Sequence, residues 1–506
     1  MSTSNHALTR GGLLARNVAL NLGGSLLPAI AALVAVPMLV RGLGDARFGV
    51  LALAWTSLGY FSLFDIGIGR AVTHAVADRV GQEREDEIGT VVWTSLATLI
   101  PIGLLGCAIL FAIAPLLAER VLHVPSELRN ETVIAFRILA IAVPFTGVTA
   151  ALRGVLEAKQ LFGAVNALRV PHGLLMFLGP VAALPFSHSL VPAVTILTLG
   201  RVLLCVAHLF VCTRAVPHFG ESKFHWSKDA VRPLLTFGGW MTISNIISPL
   251  MSSLDRFVVG AVLSVSMVTY YAAPSELVTK MWLYTAALHP VFFPALATTG
   301  SRDTVRTAAL FDRLLRVTFA GLVLPTLLLV LLSRDILGLW LGPAFAVQSA
   351  STLQVLVIAV FVNTLGQGAL TLIQALGRPD ITGKYHVAEF PFYAIALWIL
   401  LPRFGIVGAA IAWAARAIVD ALLLLLTCPA LLRETRAGVD RMLLWLGGAI
   451  VVLGGCVYLS QTPGRFVGAA VAIPLCMVVV WRWILTPAER SAPGRAFSAA
   501  WRPERA

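Results

Sequence analysis

Fourteen apolar segments follow one another along this chain, joined by short polar loops. They cover residues 17–40, 48–77, 88–118, 132–152, 165–186, 191–213, 231–260, 269–296, 307–332, 347–376, 386–401, 404–432, 442–460 and 466–486. A helix needs roughly twenty apolar residues to cross the hydrocarbon core of a bilayer, and most of these segments reach that length. That core holds no water, so every backbone N–H and C=O must be paired inside the protein. Only helices and closed barrels satisfy this. A barrel strand alternates apolar and polar residues, whereas the run Ala421–Thr427 has no such alternation. The sequence therefore predicts an all-α integral membrane protein with about fourteen transmembrane helices. With 58% hydrophobic and 12% charged residues, it has too little polar surface to cover a water-soluble particle of 506 residues.

A net charge of +13 would suggest a nucleic-acid partner in a soluble protein. Here the cations sort by loop instead. With the N-terminus in the cytoplasm and fourteen crossings, 26 of the 38 Lys and Arg fall on the cytoplasmic side and 8 on the opposite side. Cations near a span's end, Arg70 among them, are counted with the adjoining loop; the remaining four, Arg201, Arg256, Lys280 and Arg416, lie deeper within spans. This is the positive-inside pattern, and it predicts that both termini are cytoplasmic. Arg10 and Arg16 precede an apolar run that reaches Val40, too long for a cleaved signal, so that run reads as the first span. The six cysteines form no C-x-x-C pair and lie in apolar segments, which suits packing rather than a disulfide or metal framework.

An internal repeat suggests the architecture. Leu139-Ala-Ile141-Ala142-Val143 recurs 217 residues later as Leu356-Val-Ile358-Ala359-Val360, and Glu157-Ala158 aligns with Gln374-Ala375 at the same offset. Asn21 of the first span has a counterpart in Asn245 of the seventh. Each copy holds six spans, an even number, so both copies enter the membrane the same way round. The expected layout is two parallel six-helix lobes, 1–220 and 221–436. Residues 437–506 then supply two extra helices and a basic tail. Parallel lobes of this kind are a transporter plan, with the substrate path between them and access alternating by rocking.

An ionisable residue inside a span is costly, so each is a candidate for function. The second span carries Asp65-Ile-Gly67-Ile-Gly69-Arg70 and then His74, and Arg70 and His74 share a face. The seventh carries Asp255-Arg256, whose side chains diverge and must seek different partners. The eighth carries Glu276 and Lys280 in the favoured i,i+4 order. Arg416 and Asp420, also four apart, read as a structural pair, and His172 and His208 as packing residues. Prolines at 28, 144, 249, 290 and 325 each remove a backbone hydrogen bond and can kink a span. The chain has no G-x-S-x-G, P-loop, H-E-x-x-H or D-x-D motif, and no long soluble domain for nucleotide or sugar-nucleotide chemistry. The expectation is a protein that is not an enzyme and holds no metal or cofactor.

Several short motifs carry a resemblance. They are Asn17-x3-Asn21, Leu43-Gly44-x3-Phe48-Gly49, Phe64-Asp65-Ile66-Gly67-Ile68-Gly69, Asp255-Arg256-Phe257, Tyr270-Tyr271-x-Ala273, His289-Pro290-x3-Pro294 and Leu339-Trp340-Leu341-Gly342. Together, and in this order, they resemble the Wzx-type O-antigen and exopolysaccharide flippases. These belong to the multidrug/oligosaccharidyl-lipid/polysaccharide (MOP) exporter superfamily, whose fold is that of the multidrug and toxin extrusion transporters. The resemblance covers most of spans 1 to 10. The last two spans are similar to an extra pair in the lipid II flippase branch that forms a groove for a lipid tail.

The resemblance implies a substrate, a short oligosaccharide on undecaprenyl pyrophosphate, moved from the cytoplasmic to the periplasmic leaflet of the bacterial inner membrane. It also leaves room for association with a polysaccharide polymerase; no nucleic-acid partner is expected. Pyrophosphate needs paired charge to enter hydrocarbon, and Arg and Lys supply charge-assisted bonds to its oxygens. The expected substrate-binding residues are Arg70, Arg256, Lys280, Asn21 and Asn245. Asp65, Asp255 and Glu276 are the expected sites of proton or sodium coupling. The alternative on the same fold is a cation-coupled multidrug antiporter, whose cavity should be dominated by carboxylates. A polymerase would need a large periplasmic loop, and Glu119–Glu131 is short.

Overall fold

The computed structural model describes residues 11–61, 87–122, 124–159, 161–216, 254–299 and 303–490, with residue 251 and single residues between 69 and 84. Among the described residues there are helices and turns and no strand. Nine helices among them are long and apolar enough to cross a membrane. The chain divides into two compact units.

The first unit comprises Met1–Glu276 and Tyr393–Ala409. It contains α1 (Gly11–Leu43), α2 (Asp45–Tyr60), α3 (Ile88–Leu116), α4 (Ser126–Ala140), α5 (Ala142–Ala158), α6 (Phe162–Ala183), α7 (Leu190–Ala215) and most of α8 (Val265–Thr279). The main packed pairs are α1 with α6, α3 with α5, and α7 with α5 and α6. A buried cluster of Ile88, Val91, Val92, Leu96, Ala151, Leu152, Val155, Val165 and Cys212 joins α3, α5, α6 and α7. The opposite faces are apolar as well: Leu104, Leu105 and Ile109 on α3, and Leu199, Leu203, Val206 and Phe210 on α7, are exposed. A helix that is apolar all round is a membrane helix, with the exposed stripe facing lipid.

Pro144 accounts for the break between α4 and α5. It has no N–H to give the carbonyl of residue 140, and α4 ends at Ala140. At the 217-residue offset read from the sequence stands Phe361, and there α13 (Ala350–Ala375) runs unbroken. Gly103 of α3 fits against this break, since a Cβ there would lie 2.5 Å from Pro144 Cα. Prolines 28 and 325, by contrast, lie inside helices that continue past them. Pro249 lies outside the described residues.

The second unit comprises Leu277–Phe392 and Ala410–Ala506. It contains α9 (Trp282–Thr299), α10 (Thr304–Leu331), the short α11 (Ser333–Trp340) and α12 (Pro343–Gln348), and α13. Both ends of α14 (Pro379–Leu431) follow, then α15 (Arg436–Leu459) and α16 (Arg465–Val479). Asp303 caps α10 by accepting from the Arg306 N–H at 3.0 Å. Leu339-Trp340-Leu341-Gly342 closes α11; Gly342 takes φ +110°, a left-handed value, and Pro343 starts α12. The expected eighth span is interrupted at Lys280 and Met281, where tight i→i+3 bonds separate α8 from α9.

α14 is two limbs. Gly405 breaks it with φ 58°. His386 and Asp420 lie 3.6 Å apart, and Tyr385 meets the Thr427 hydroxyl at 2.8 Å. Thirty-four residues of straight helix would separate the first pair by about 50 Å, so the limbs double back. The expected eleventh and twelfth spans are these limbs. The extra pair α15 and α16 packs on α10 and shows lipid-type surface elsewhere, with Leu444, Val451, Val467 and Val471 exposed. Arg465 fixes it to Asp335 through bonds of 2.8 and 3.0 Å.

Candidate functional site

Residues 254–262 are helical, so the side chains of Asp255 and Arg256 leave the axis about 100° apart. They find different partners. Asp255 is 3% exposed. Its Oδ1 accepts the Arg256 backbone N–H at 2.8 Å, and its Oδ2 accepts the hydroxyl of buried Tyr271. The Arg256 guanidinium turns elsewhere. It donates from Nη2 to Glu276 Oε1 at 3.3 Å and from Nη1 to Thr56 Oγ1 at 3.4 Å. The Thr56 hydroxyl spends its own proton on the Ala52 carbonyl at 2.8 Å, leaving its lone pairs to accept.

The sequence motifs hold these partners in place. Gly44, at φ +78°, turns the chain from α1 into α2. A Cβ on Gly49 would fall 1.8 Å from the Val265 carbonyl oxygen, so α2 and the start of α8 meet backbone to backbone. The two tyrosines of Tyr270-Tyr271 then diverge. Tyr270 donates to Asp45 Oδ2 at 2.5 Å and Tyr271 to Asp255. Thr269 adds a bond to the Asp45 carbonyl at 2.5 Å. With α8 docked on α2 in this way, Glu276 faces Arg256. Further along α2, Trp55 donates to the Met176 carbonyl of α6 at 3.1 Å, and Arg47 pairs with Glu131 at 3.1 Å.

A guanidinium has five N–H groups, and two of those of Arg256 bond other described residues, both at long distances. Its side chain is 12% exposed and that of Glu276 17%. A planar cation in a low-dielectric setting with only long bonds can exchange a carboxylate for a phosphate oxygen pair. Asp255, with both oxygens engaged, serves to position its neighbour.

Asp65, Arg70, His74 and Asn245 lie outside the described residues. Asn21 is on the α1 backbone, and its side chain lies outside them too. Lys280 sits in the turn after α8, in the second unit. Thus Arg256, Asp255 and Glu276 come together. Thr56, Asp45 and Tyr271 complete the site, yet none of their roles was read from the sequence. Tyr271 lay inside a recognised motif. Thr56 and Asp45 lack any local signal, since Thr56 is 200 positions from Arg256. His208 behaves as a packing residue, its Nδ1 2.9 Å from the Leu204 carbonyl.

Helices with lipid-type outer faces and paired ions within define a multi-pass membrane protein. The family described as "Polysaccharide biosynthesis protein" matches residues 38–350. A Shigella flexneri protein that carries the name O-antigen transporter is 31% identical over 410 residues, covering 81% of this chain and 96% of its own length. The chain belongs to this polysaccharide biosynthesis family, the Wzx-type flippases of the MOP exporter superfamily. Among solved structures, the lipid II flippase MurJ in an inward closed conformation superposes with a TM-score of 0.70 at 12% identity, over 94% of this chain and 98% of that one. An inward-facing multidrug-resistance transporter of the multidrug and toxin extrusion family gives 0.66 at 13% identity, over 82% and 94%. At such identities the likeness is one of fold.

Proposed function

We propose that the protein flips a lipid-linked oligosaccharide, carried on undecaprenyl pyrophosphate, from the cytoplasmic to the periplasmic leaflet of the bacterial inner membrane. It does so by alternating access, for the synthesis of O-antigen, capsule or exopolysaccharide. The name of the Shigella flexneri relative and the family match support this reading. The observation that carries it is Arg256, a guanidinium inside the apolar body of the first unit, two of whose five N–H groups bond other described residues, and whose fork suits phosphate. The fourteen-span layout, the lobes 1–220 and 221–436 and the extra pair in 437–506 belong to the same proposal, with both termini cytoplasmic. Arg70 and Lys280, with Asn21 and Asn245, are proposed to join Arg256 in holding the headgroup. The chain does no bond chemistry itself; it lowers the barrier to moving a charged headgroup through hydrocarbon.

The test is complementation of a strain that lacks its own flippase. Arg256→Ala should insert and accumulate yet leave the surface glycan missing, and Arg256→Lys should restore it only partly, because a point charge cannot replace the fork. Full restoration by Arg256→Ala would remove this residue from the headgroup site.

A further inference from the structure

Glu389 stands in the first limb of α14, in the apolar stretch Val387–Leu397. It is 6% exposed, while Phe392 on the same limb faces outward at 75%. Neither of its carboxylate oxygens accepts a hydrogen bond from the described residues. The second limb brings Asp420 into the same region, itself 5% exposed, with an Oδ1 that accepts no hydrogen bond. Among the described residues the basic group closest to Asp420 is the His386 ring, its Nε2 3.6 Å from Oδ1. Arg416, one turn before Asp420, stacks its guanidinium over the Trp413 ring at 5.4 Å, and its Nε has no acceptor. The expected Arg416–Asp420 pair gives way to this arrangement. From α9, Trp282 packs its ring 6.4 Å from that of Trp413 and brings no charge. The charged and titratable groups acting on Glu389 are Asp420, Arg416 and His386.

With both acids ionised, two negative charges face one permanent cation, Arg416, and a histidine. A buried carboxylate without donors is the expensive form of the group, and its protonated form removes the excess charge. Among the described residues no three His, Cys, Asp or Glu side chains converge to hold a metal ion. Asp255 and Glu276 differ from Glu389 in that donors already hold them.

We propose that Glu389 is a proton-binding site of the second unit, protonated while enclosed and releasing its proton when the limbs of α14 open to water. Proton binding stands on these side chains alone. Its use to bias the transport cycle rests on the flippase reading, since a ligand shifts a conformational equilibrium only by preferring one state.

The test is infrared difference spectroscopy of the full-length protein in phospholipid vesicles, titrated from about pH 9 to about pH 5 around the ordinary carboxylate and histidine range. The wild type should show the carbonyl stretch of a protonated carboxylic acid without hydrogen bonds, still present near neutral pH. E389Q should lose that band. A band that persists in E389Q, or a wild type without one, overturns the proposal. If E389Q fails to accumulate, E389D decides: the band should move with the shorter side chain, and an unmoved band assigns it to another acid. Turnover of lipid-linked glycan in the same vesicles should respond to a pH gradient in the wild type and not in E389Q. A gradient response retained by E389Q overturns the coupling, and absence of wild-type flipping overturns the flippase reading while the band still decides the proton site.

Discussion

Arg256 and Glu276 meet at 3.3 Å across twenty residues of chain, as an ion pair in the apolar body of the first unit. Removing one takes the opposite charge away from the other, which costs about 3–5 kcal/mol when a pair is wholly buried. The residual exposure of 12% and 17% reduces this to about 2 kcal/mol. Arg256→Ala and Glu276→Ala should each lower the unfolding temperature in detergent micelles. The double substitution should cost clearly less than the sum. Additive losses would show that the two side chains do not support one another.

Tyr271→Phe removes the hydroxyl that satisfies Asp255 Oδ2. Asp255 is 3% exposed, so water does not replace the lost donor, and the expected loss is about 1–3 kcal/mol. Tyr270→Phe should cost less, because its partner Asp45 is only half-buried. Thermal unfolding of the two purified variants decides; equal losses would contradict the assignment of Tyr271 as the support of the site.

Two glycines hold helices at backbone distance. A Cβ on Gly103 would stand 2.5 Å from Pro144 Cα, and one on Gly366 2.7 Å from Ala421 Cα. Backbone cannot yield as a flexible side chain does, so Gly103→Ala and Gly366→Ala should each destabilise by about 1–3 kcal/mol. Gly454→Ala, with open space around it, serves as the control. It should be neutral or slightly stabilising, read as accumulation in the membrane and as unfolding temperature.

The helices were legible because the bilayer sets a minimum apolar length, and the chain obeys it. The break at Ala140 was legible in Pro144, but the same residue type passes quietly through α1 and α10 at Pro28 and Pro325. Whether a proline interrupts a helix depends on what packs around it, here Gly103. Asp255, Arg256 and Glu276 stood out as charges in spans. Their partners did not, because Thr56 and Asp45 are common polar residues brought close by tertiary packing. Glu389 was passed over: one acid in an apolar stretch forms no pattern, and its meaning lies in hydrogen bonds it does not make.

The charge asymmetry of the loops predicts an orientation that can be read directly. Reporter fusions at Gly220 and Glu434 should be cytoplasmic and one at Ser187 periplasmic. A cytoplasmic signal at Ser187 would overturn the span count.

The pair α15 and α16 is anchored to the second unit by Arg465 on Asp335 and by Gln354, whose Nε2 donates to the Ser460 hydroxyl at 2.7 Å. Truncation before Arg441 removes these bonds together with the contact of Arg441 to Asp312 at 3.6 Å. If the pair holds the polyprenyl tail, the truncated protein should flip a short-tailed analogue and lose the long-chain lipid. Normal flipping of the long chain would make the pair a passive packing element.

The most direct measurement of the central proposal is the leaflet exchange of an undecaprenyl-pyrophosphate-linked oligosaccharide in vesicles that contain only this protein. Exchange should be fast with the wild type and at least about tenfold slower with Arg256→Ala, as expected for loss of a charge-assisted phosphate contact. Exchange no faster than in protein-free vesicles, together with outward movement of a cationic drug, would contradict the account and assign the chain to drug export.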